Sequence, residues 1–302
     1  MTTALAQATA VLRECGMTHL AVTEIRPMHG GMVSRVEEWI TTGSPTAVVC
    51  KRTEHPHDAG LRHEWLSLRW VRENTQFPVP QTYGYISGEP GGGGTCLVME
   101  RLLGRNLGEA RLTPAGVDSV HAQLADHLAR LHSHHRETYG LVAEEEEAHA
   151  WLDWFAPRFR SNYDDARSAL SPDSRRTIER LLAELPEWLP ESHSPTLLHG
   201  DLWATNIIVD DGDPDRPRVT GFIDGGGLFA DVEYELAYML VFGMVDKRFF
   251  RLYTERHPLR EGFARRCRVY WLNTMLLHLW LFGAEYLGRC EQLSAEVGEM
   301  MG

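Results

Sequence analysis

The chain has 302 residues, of which 43% are hydrophobic and 24% are charged. This composition is that of a soluble globular protein, and the length allows two lobes rather than one. The formal net charge of −12 argues against a nucleic-acid partner and against an anionic membrane surface, because phosphate groups would be repelled. The acidity suits a cationic or polyhydroxylated substrate, or it only keeps the protein in solution.

Five cysteines are scattered through the sequence without a CxxC pair. They predict neither a disulfide framework nor a zinc site, and reduced thiols favour a cytoplasmic location. The N-terminal segment lacks the basic and continuously apolar regions of a signal peptide. The most apolar segment, 270–287, is interrupted by Asn273, His278 and Glu285, so we expect one buried helix there rather than a membrane span.

The first third of the chain alternates helix and strand signals. An N-terminal helix is followed by a turn at Gly30-Gly31 and by the strands VEEWI and TAVVCK, which predict a hairpin. Residues 58–74 carry apolar side chains at spacings of three and four, which predicts a helix. A glycine-rich loop at 88–94 and a strand at 95–100 complete an N-lobe that we place at residues 1–103.

The remaining residues, 104–302, predict a mainly helical C-lobe. Apolar residues between 117 and 131 repeat at spacings of three and four, which is typical of a long amphipathic helix. The acidic run at 144–147 is a solvated loop or a rim that attracts the substrate. The run HSHHRE at 132–137 suggests a metal site, but imidazoles are also common at a helix C-terminus, and we favour that interpretation.

A polar motif, HGDLWATN at 199–206, lies between an apolar run and a predicted strand. Asp201 is suited to accept a proton from an attacking hydroxyl group, and Asn206 is suited to hold a metal ion. Asp224 ends the predicted strand VTGFID and precedes three glycines, where a carboxylate is well placed as a second ligand. One carboxylate, one carboxamide oxygen and the phosphates of a nucleotide make a typical set for Mg²⁺.

Two charged residues upstream fit the same chemistry. Lys51 ends an apolar strand, where its ammonium group is expected to meet nucleotide phosphates. Glu64 lies in the next predicted helix and is placed to pair with it. A lysine at a strand end is more often only an exposed surface residue, so this pair is weak support by itself.

The turn that contains Gly31 and Ser34 is expected to close over phosphates through its backbone amides. The segment 97–103 predicts a hinge, in which the backbone of Met99 and Glu100 would contact an adenine edge. The order of glycine turn, strand lysine, helix glutamate, hinge, HGDxxxxN and strand-end aspartate is specific. Together these parts indicate a site for nucleotide phosphates and magnesium, with Asp201 beside an attacking hydroxyl group.

These motifs resemble the kinase-like small-molecule phosphotransferases, the superfamily of aminoglycoside phosphotransferases and fructosamine (ketosamine) kinases. The resemblance covers most of the chain. HGDLW at 199–203 with Asn206 resembles the ketosamine-kinase form of the catalytic loop. The segments 241–263 and 270–287 resemble the C-terminal region of that family, with its HLxxFGxxYL pattern, and GGMVSRV and FPVPQTYGY also resemble family segments.

The resemblance implies an α+β, two-lobed protein-kinase-like fold, with an antiparallel sheet and a helix in the N-lobe and a mainly helical C-lobe. It implies ATP and Mg²⁺ as cofactors and a small sugar-containing substrate, whose hydroxyl group receives the γ-phosphoryl group. By the same resemblance, Asp201 is the catalytic base, Asn206 and Asp224 are metal ligands, and Lys51 paired with Glu64 binds phosphate.

The sequence departs from the ketosamine-kinase pattern after Asp224. That family usually continues as Asp-Pro-Ala, whereas here three glycines follow, and the tract to Glu235-Leu-Ala is nearer the antibiotic phosphotransferases. The acceptor is therefore either a ketosamine-like sugar or a sugar-bearing antibiotic, which would make the chain a resistance kinase. A protein kinase is disfavoured, because nothing like an activation segment ending in Ala-Pro-Glu follows Asp224. A catalytically silent nucleotide-binding module is the alternative from another class.

Four further residues are candidates for contacts with the acceptor. Trp203 either stacks on the substrate or packs the catalytic loop. Asp231 and Glu233 either contact a cationic substrate or cap and orient the following helix, and the second role is favoured. Glu285, a costly charge on an apolar helix, is a candidate for a cleft.

Overall fold

The structure is a computed structural model that describes residues 3–28, 34–55, 58–88, 94–143, 148–190 and 194–302. The helices and strands, in chain order, are α1 (Thr3–Glu14), β1 (Val22–Pro27), β2 (Arg35–Thr41), β3 (Ala47–Thr53), α2 (Ala59–Asn74), β4 (Thr82–Ser87), β5 (Thr95–Glu100), β6 (Arg105–Asn106), α3 (Pro114–Leu131), β7 (Gly140–Leu141), α4 (Trp151–Ala166), α5 (Pro172–Ala183), α6 (Leu185–Trp188), β8 (Thr196–Leu198), β9 (Ile207–Asp210), β10 (Arg218–Phe222), β11 (Leu228–Ala230), α7 (Val232–Val241), α8 (Lys247–Thr254), α9 (Phe263–Phe282) and α10 (Leu287–Met301).

The chain forms two compact units. The first comprises Met1–Gln123 and Ala204–Gly227, and the second comprises Leu124–Trp203 and Leu228–Gly302. Each unit therefore draws on two stretches of the sequence, and the polar motif at 199–206 lies where the chain passes from the second unit to the first.

The first unit is built on an antiparallel sheet with the order β1-β2-β3-β5-β4. Residues of β2 alternate, so that Glu37, Trp39 and Thr41 are buried, as period-two side chains on one face of a sheet require. Trp39 is fully buried among residues of α1, β3 and β5, and its indole Nε1 donates to Glu37 Oε2 at 2.8 Å. The central strand β3 places Lys51 between Val36 of β2 and Leu97 of β5.

A second, three-stranded sheet of the first unit has the order β10-β9-β6. Its strands β9 and β10 are antiparallel, with Ile207 opposite Phe222. Residues just before β9 and just after β10 therefore lie at the same end of this hairpin. Asn206 and Asp224 are two such residues.

The second unit is mainly helical. Its core is a cluster of buried aromatic side chains from α4, α7 and α9, in which Trp151 and Phe155 contact Tyr234 and Tyr270. A small sheet with the order β7-β11-β8 lies in the same unit. Within the described residues, no helix is both long and apolar enough to cross a membrane.

Most elements predicted from the sequence are present, and the differences have local causes. The helix over 58–74 and the strand over 95–100 are confirmed as α2 and β5. The single helix expected over 270–287 is wrong: α9 ends at Phe282, because Gly283 adopts a φ of +98°, and α10 begins at Leu287. Asp224 lies two residues beyond the end of β10, in a turn rather than in the strand.

Gly104 is required by its backbone conformation and by a close approach. Its φ is +107°, and a Cβ atom at this position would clash with the carbonyl group of Val209. We expect Gly104→Ala to lower the free energy of unfolding by about 2 kcal/mol. Urea unfolding of the two proteins measures this difference.

The matched control is Gly288→Ala in the first turn of α10, where a Cβ atom would meet nothing within 4 Å. There, alanine should leave the stability unchanged or raise it by roughly 0.5–1 kcal/mol, since glycine is a poor helix former. Equal effects of the two substitutions would contradict the account of Gly104.

Candidate active site

The first unit contains a cluster of one ammonium and two carboxylate groups. Lys51 Nζ lies 2.6 Å from Glu64 Oε1 and also donates a short hydrogen bond to Asp224 Oδ1. The Lys51 side chain is 11% exposed and that of Glu64 is 14% exposed. The structure thus brings the predicted pair of Lys51 on β3 and Glu64 on α2 together with Asp224 from the turn after β10.

The cluster keeps Lys51 charged. Burial disfavours the ammonium form, but the carboxylates of Glu64 and Asp224 outweigh it and raise the pKa of Lys51 above its ordinary value. Burial raises the pKa of Glu64, and the nearby Asp224 carboxylate raises it further, against the opposing effect of Lys51. One cation thus faces two carboxylates, so the cluster favours the approach of a further cation.

The turn that carries Asp224 is anchored to α2. Asp224 has a φ of +60°, in the left-handed region that a residue other than glycine seldom adopts. Two residues after Asp224, the carbonyl oxygen of Gly226 accepts from Ser67 Oγ at 2.7 Å and lies 2.7 Å from His63 Nε2. Both partners lie on α2, close to Glu64 in sequence, so the same helix positions the carboxylate partner of Lys51 and the turn of Asp224.

Asn206 lies beside this turn in the first unit. It is buried, with 4% of its surface exposed, and its backbone carbonyl accepts from the amide of Ile223 at 2.9 Å. Within the described residues, no cluster of three or more histidine, cysteine or acidic residues is arranged to hold a metal ion. The pair of Asn206 and Asp224 nevertheless fits Mg²⁺, which is commonly bound by few protein oxygens together with phosphates and water.

The second unit contains Asp201, whose side chain is held by a tyrosine. The hydroxyl group of Tyr238 on α7 donates to Asp201 Oδ1 at 2.5 Å. Burial, and then the adjacent Asp201 carboxylate, raise the pKa of Tyr238 well above its ordinary value. The phenol therefore stays protonated near neutral pH and acts as a hydrogen-bond donor there.

The backbone before Asp201 is held by Glu235, one helical turn before Tyr238 on α7. The Glu235 carboxylate accepts from the amide of Gly200 at 2.7 Å and from the amide of His199 at 3.3 Å. Its third partner is His132 Nε2 at 3.0 Å, and His132 Nδ1 lies 2.7 Å from the hydroxyl of Tyr253. Both His132 and Glu235 are almost fully inaccessible.

These hydrogen bonds decide the ionisation of Glu235. Burial alone would raise the pKa of this carboxyl, but the hydrogen bond and charge of His132, with the Gly200 amide, hold its pKa below the ordinary value. The carboxylate is thus ionised and is a strong acceptor for the loop amides. His132 belongs to the histidine-rich run in which sequence analysis considered a metal site, and its ring serves this contact.

Asp231 and Glu233 lie in a buried ion network. Asp231 caps α7 by accepting from the amide of Glu233, and its other oxygen lies 2.6 Å from Arg260. Glu233 binds Arg266 through two hydrogen bonds and also contacts Arg260. Both acids are at most 2% exposed, which matches their predicted role as a cap and an orienting group, and their contact with the substrate stays a prediction.

The other predicted site residues are placed as follows. Ser34 is half-buried just before β2, whereas its neighbour Gly31 lies outside the described residues. Met99 is buried in β5, and Glu100 at the end of that strand accepts from the amide of Gln81 at 3.0 Å. Trp203 is 38% exposed, and Glu285 is exposed in a 3₁₀ turn after α9.

Five residues that support the site were not predicted from the sequence: Tyr238, Glu235 with His132, and His63 with Ser67. One signal for Tyr238 and Glu235 existed. They are three positions apart on a helix that begins soon after Asp224, so both project from one face. The pattern does not reveal which loop that face meets.

Comparison with known proteins shows a family match over nearly the whole chain. The fructosamine kinase family model matches residues 4–298. A protein named as a probable ketoamine kinase from Staphylococcus aureus is 32% identical over 108 residues, 35% of this chain and 34% of that protein. A second protein named as a probable ketoamine kinase, from Enterococcus faecium, is 27% identical over 226 residues, 71% of this chain and 75% of that protein. The first alignment thus spans only about a third of the relative.

Solved structures are similar over nearly the whole chain. A protein from Thermobifida fusca named as a fructosamine-3-kinase has a TM-score of 0.75 at 23% identity, covering 96% of this chain and 99% of that one. A thermostable variant of aminoglycoside phosphotransferase APH(4)-Ia, in a ternary complex with ADP and hygromycin B, has a TM-score of 0.66 at 20% identity, covering 95% and 97%. These matches confirm the predicted protein-kinase-like fold. The name of the matched family, fructosamine kinase, describes a phosphotransferase, which is the enzyme class predicted from the sequence.

The ionised Glu235 should make stability depend on pH. Because its pKa is lowered in the folded protein, its contribution is present above its ordinary value of 4.5 and is lost as the pH falls through the folded value. We expect Glu235→Gln to lower the free energy of unfolding by about 1–3 kcal/mol at pH 7. The difference from the wild type should shrink below pH 4.5, as measured by urea unfolding at a series of pH values.

Glu299→Gln is the control for this series, because Glu299 is an exposed residue near the end of α10. It should follow the wild-type curve throughout. A constant difference between Glu235→Gln and the wild type at every pH would show that the carboxylate charge contributes nothing.

Proposed function

Because the chain belongs to the fructosamine kinase family, we propose that it is a kinase that transfers the γ-phosphoryl group of ATP to a hydroxyl group of a sugar-containing small molecule. The observation that carries this proposal is the buried cluster of Lys51, Glu64 and Asp224. A lysine held by a helix glutamate, with an aspartate in a glycine-rich turn nearby, is the arrangement by which kinases bind the phosphates and the metal ion of a nucleotide.

ATP and magnesium are part of this proposal. The solved neighbour APH(4)-Ia contains ADP, which supports a nucleotide here. Asn206 and Asp224 would hold the metal ion, which supplies neutralisation of phosphate charge when bound. Lys51 binds phosphate oxygens, and Ser34, Gly31, Met99 and Glu100 remain proposed contacts of the nucleotide. We also propose a cytoplasmic location, which is supported by the five free cysteines.

In the proposed reaction, the acceptor oxygen attacks the γ-phosphorus, the bond to the bridging oxygen breaks, and ADP leaves. The proton of the acceptor hydroxyl goes to the carboxylate of Asp201. The carboxylate and the backbone of its loop are already fixed by Tyr238 and Glu235, so little reorganisation is needed. Most of the rate gain then comes from positioning and from charge stabilisation.

For the acceptor we propose a ketosamine, a sugar joined to an amine as in fructosamines. The family model and the names of the curated relatives support this class. The exposed Trp203, two residues after Asp201, offers an aromatic face for the apolar side of a sugar ring. A sugar-bearing antibiotic is a second candidate, supported by the tract after Asp224 and by the hygromycin B complex of APH(4)-Ia.

The first test is a mass-spectrometric assay of the full chain with ATP, Mg²⁺ and a panel of fructosamines, free amino sugars, aminoglycosides and other sugar-bearing antibiotics. We expect a gain of one phosphate on fructosamines. A gain on one antibiotic alone would make the chain a resistance kinase instead. Nucleotide binding without transfer to any acceptor would favour the silent regulatory module.

Removing the proposed base should abolish most of the turnover. We expect Asp201→Asn to lower kcat by about 10²–10⁴-fold, the usual contribution of a positioned base, while ATP binding measured by calorimetry stays unchanged. Asp173→Asn, at the exposed start of α5 in the same unit, is the control and should keep wild-type turnover. Near-normal turnover of Asp201→Asn would refute its role.

The two lysines of the chain provide a matched pair for the nucleotide site. Lys51→Met should weaken ATP binding by at least about 10-fold, because the phosphates lose a cation and face two carboxylates without it. Lys247→Met, at the exposed start of α8, should bind ATP like the wild type. Equal affinities would place the nucleotide away from the Lys51 cluster.

A further inference from the structure

Helix α7 contacts the loop of Asp201 at two levels. Glu235 accepts from the backbone amides of His199 and Gly200, and Tyr238, one turn later, donates to the Asp201 side chain. All of these residues belong to the second unit. The two contacts fix different things, since the first sets the path of the backbone and the second sets the rotation of the carboxylate.

We propose that Tyr238 is a positioning residue for Asp201, whose hydrogen bond to Oδ1 directs Oδ2 towards the acceptor hydroxyl and moderates the basicity of the carboxylate. This inference rests on the proposed kinase function. It adds Tyr238 to the residues proposed for the reaction. Tyr238 lies outside the HGDxxxxN motif and is not one of the proposed metal ligands.

The geometry supports a fixed donor. The distance of 2.5 Å between Tyr238 Oη and Asp201 Oδ1 is that of a charge-assisted O–H···O⁻ hydrogen bond. The ring of Tyr238 packs edge-on against Phe242, with centroids 4.9 Å apart, and Phe242 in turn contacts His278 at 5.1 Å. The hydroxyl therefore has little freedom to leave Asp201, and a carboxylate held through one oxygen keeps the other in a constant direction.

Other titratable groups surround this pair and contribute to its pH dependence. They are Tyr234 on α7, Tyr286 after α9, and His278 on α9. Burial lowers the pKa of His278, with a smaller opposing effect from Asp201, so this imidazole is neutral near pH 7. Within the described part of the chain, none of these three side chains is hydrogen-bonded to Asp201 as Tyr238 is.

The test compares Tyr238→Phe with the wild type by two measurements on the full chain. Carbon-13 NMR of the Asp201 carboxyl, identified by its loss in Asp201→Asn, gives the titration midpoint without requiring activity. Removing the donor destabilises the carboxylate form, so the midpoint should rise by about one pH unit. With the acceptor found in the panel, kcat should fall by about 10–100-fold, the KM for ATP should stay constant, and the acidic limb of the kcat profile should move to higher pH.

Tyr163→Phe is the matched control. Tyr163 is a buried tyrosine of α4 in the same unit, and its hydroxyl donates to Glu179 at 2.7 Å, so the variant loses the same kind of hydrogen bond elsewhere. It should leave the Asp201 midpoint and kcat unchanged. If Tyr238→Phe fails to fold, site-specific 3-fluorotyrosine at position 238 keeps the shape, and as a stronger donor it should move the midpoint to lower pH.

An unmoved midpoint, or a kcat and pH profile equal to those of Tyr163→Phe, would overturn the role of Tyr238 while leaving the proposed kinase function intact. A wild-type protein that phosphorylates no acceptor would overturn the proposed function, and the positioning role with it, whatever the carboxyl titration shows.

Discussion

The carboxylate of Glu235 is the contact on which the geometry around Asp201 depends. A buried carboxylate is costly unless its oxygens are fully hydrogen-bonded, and here two loop amides and one imidazole satisfy them. Because the Glu235 carboxylate is charged, it holds the amides of His199 and Gly200 more strongly than a neutral hydrogen-bond acceptor would. The loop is therefore held by a helix side chain in addition to its internal contact between the Asp201 amide and His199 Nδ1, and a displacement of α7 would displace Asp201.

The position of α7 is itself fixed by charge. Asp231 caps its first turn, and Glu233 binds Arg260 from the segment before α9 and Arg266 from α9 itself. The carboxylates of Asp231 and Glu233 are nearly inaccessible, so removal of an arginine partner would leave an uncompensated buried charge. Acidic residues at the N-cap of α7 and at two positions in its first turns thus have three separate tasks: a cap, an ion pair and a support for the loop. This division explains why so acidic a stretch lies in the interior.

Some residues of the site could be predicted because their type and position in the sequence indicate a role. Others could not, because their role depends on contacts that only the folded structure shows. Lys51, Glu64, Asp201 and Asp224 were identified from the order of their residue types along the chain and from the resemblance to known kinases, and the structure brings Lys51, Glu64 and Asp224 together. Tyr238 was missed because an aromatic residue in an apolar helix reads as part of the core. Its contact depends on the rotation of α7, which is set by arginines some thirty positions away.

The fold shows the same limit. Strands with alternating apolar residues, such as β2 and β3, were predicted, whereas β1 was missed. It is an edge strand that pairs only with β2 and has mostly exposed polar side chains, so its sequence carries no period-two signal. The break between α9 and α10 depends on the backbone of one glycine, Gly283. Because glycine also occurs inside helices, this residue marks no clear helix boundary in the sequence.

The glycine turn after Asp224 shows how a departure from a family pattern is accommodated by nearby residues. Three successive glycines lose more conformational entropy on ordering than the Asp-Pro-Ala form would, and they give the turn no side chains to pack. Here the lost rigidity is offset by α2, from which Ser67 donates to the carbonyl of Gly226 and His63 approaches the same atom. Since α2 also carries Glu64, the ammonium of Lys51 and the turn of Asp224 take their positions from one rigid element. The change therefore alters the support of the aspartate and leaves its carboxylate on Lys51, so this departure from the family pattern is compatible with the proposed phosphoryl transfer.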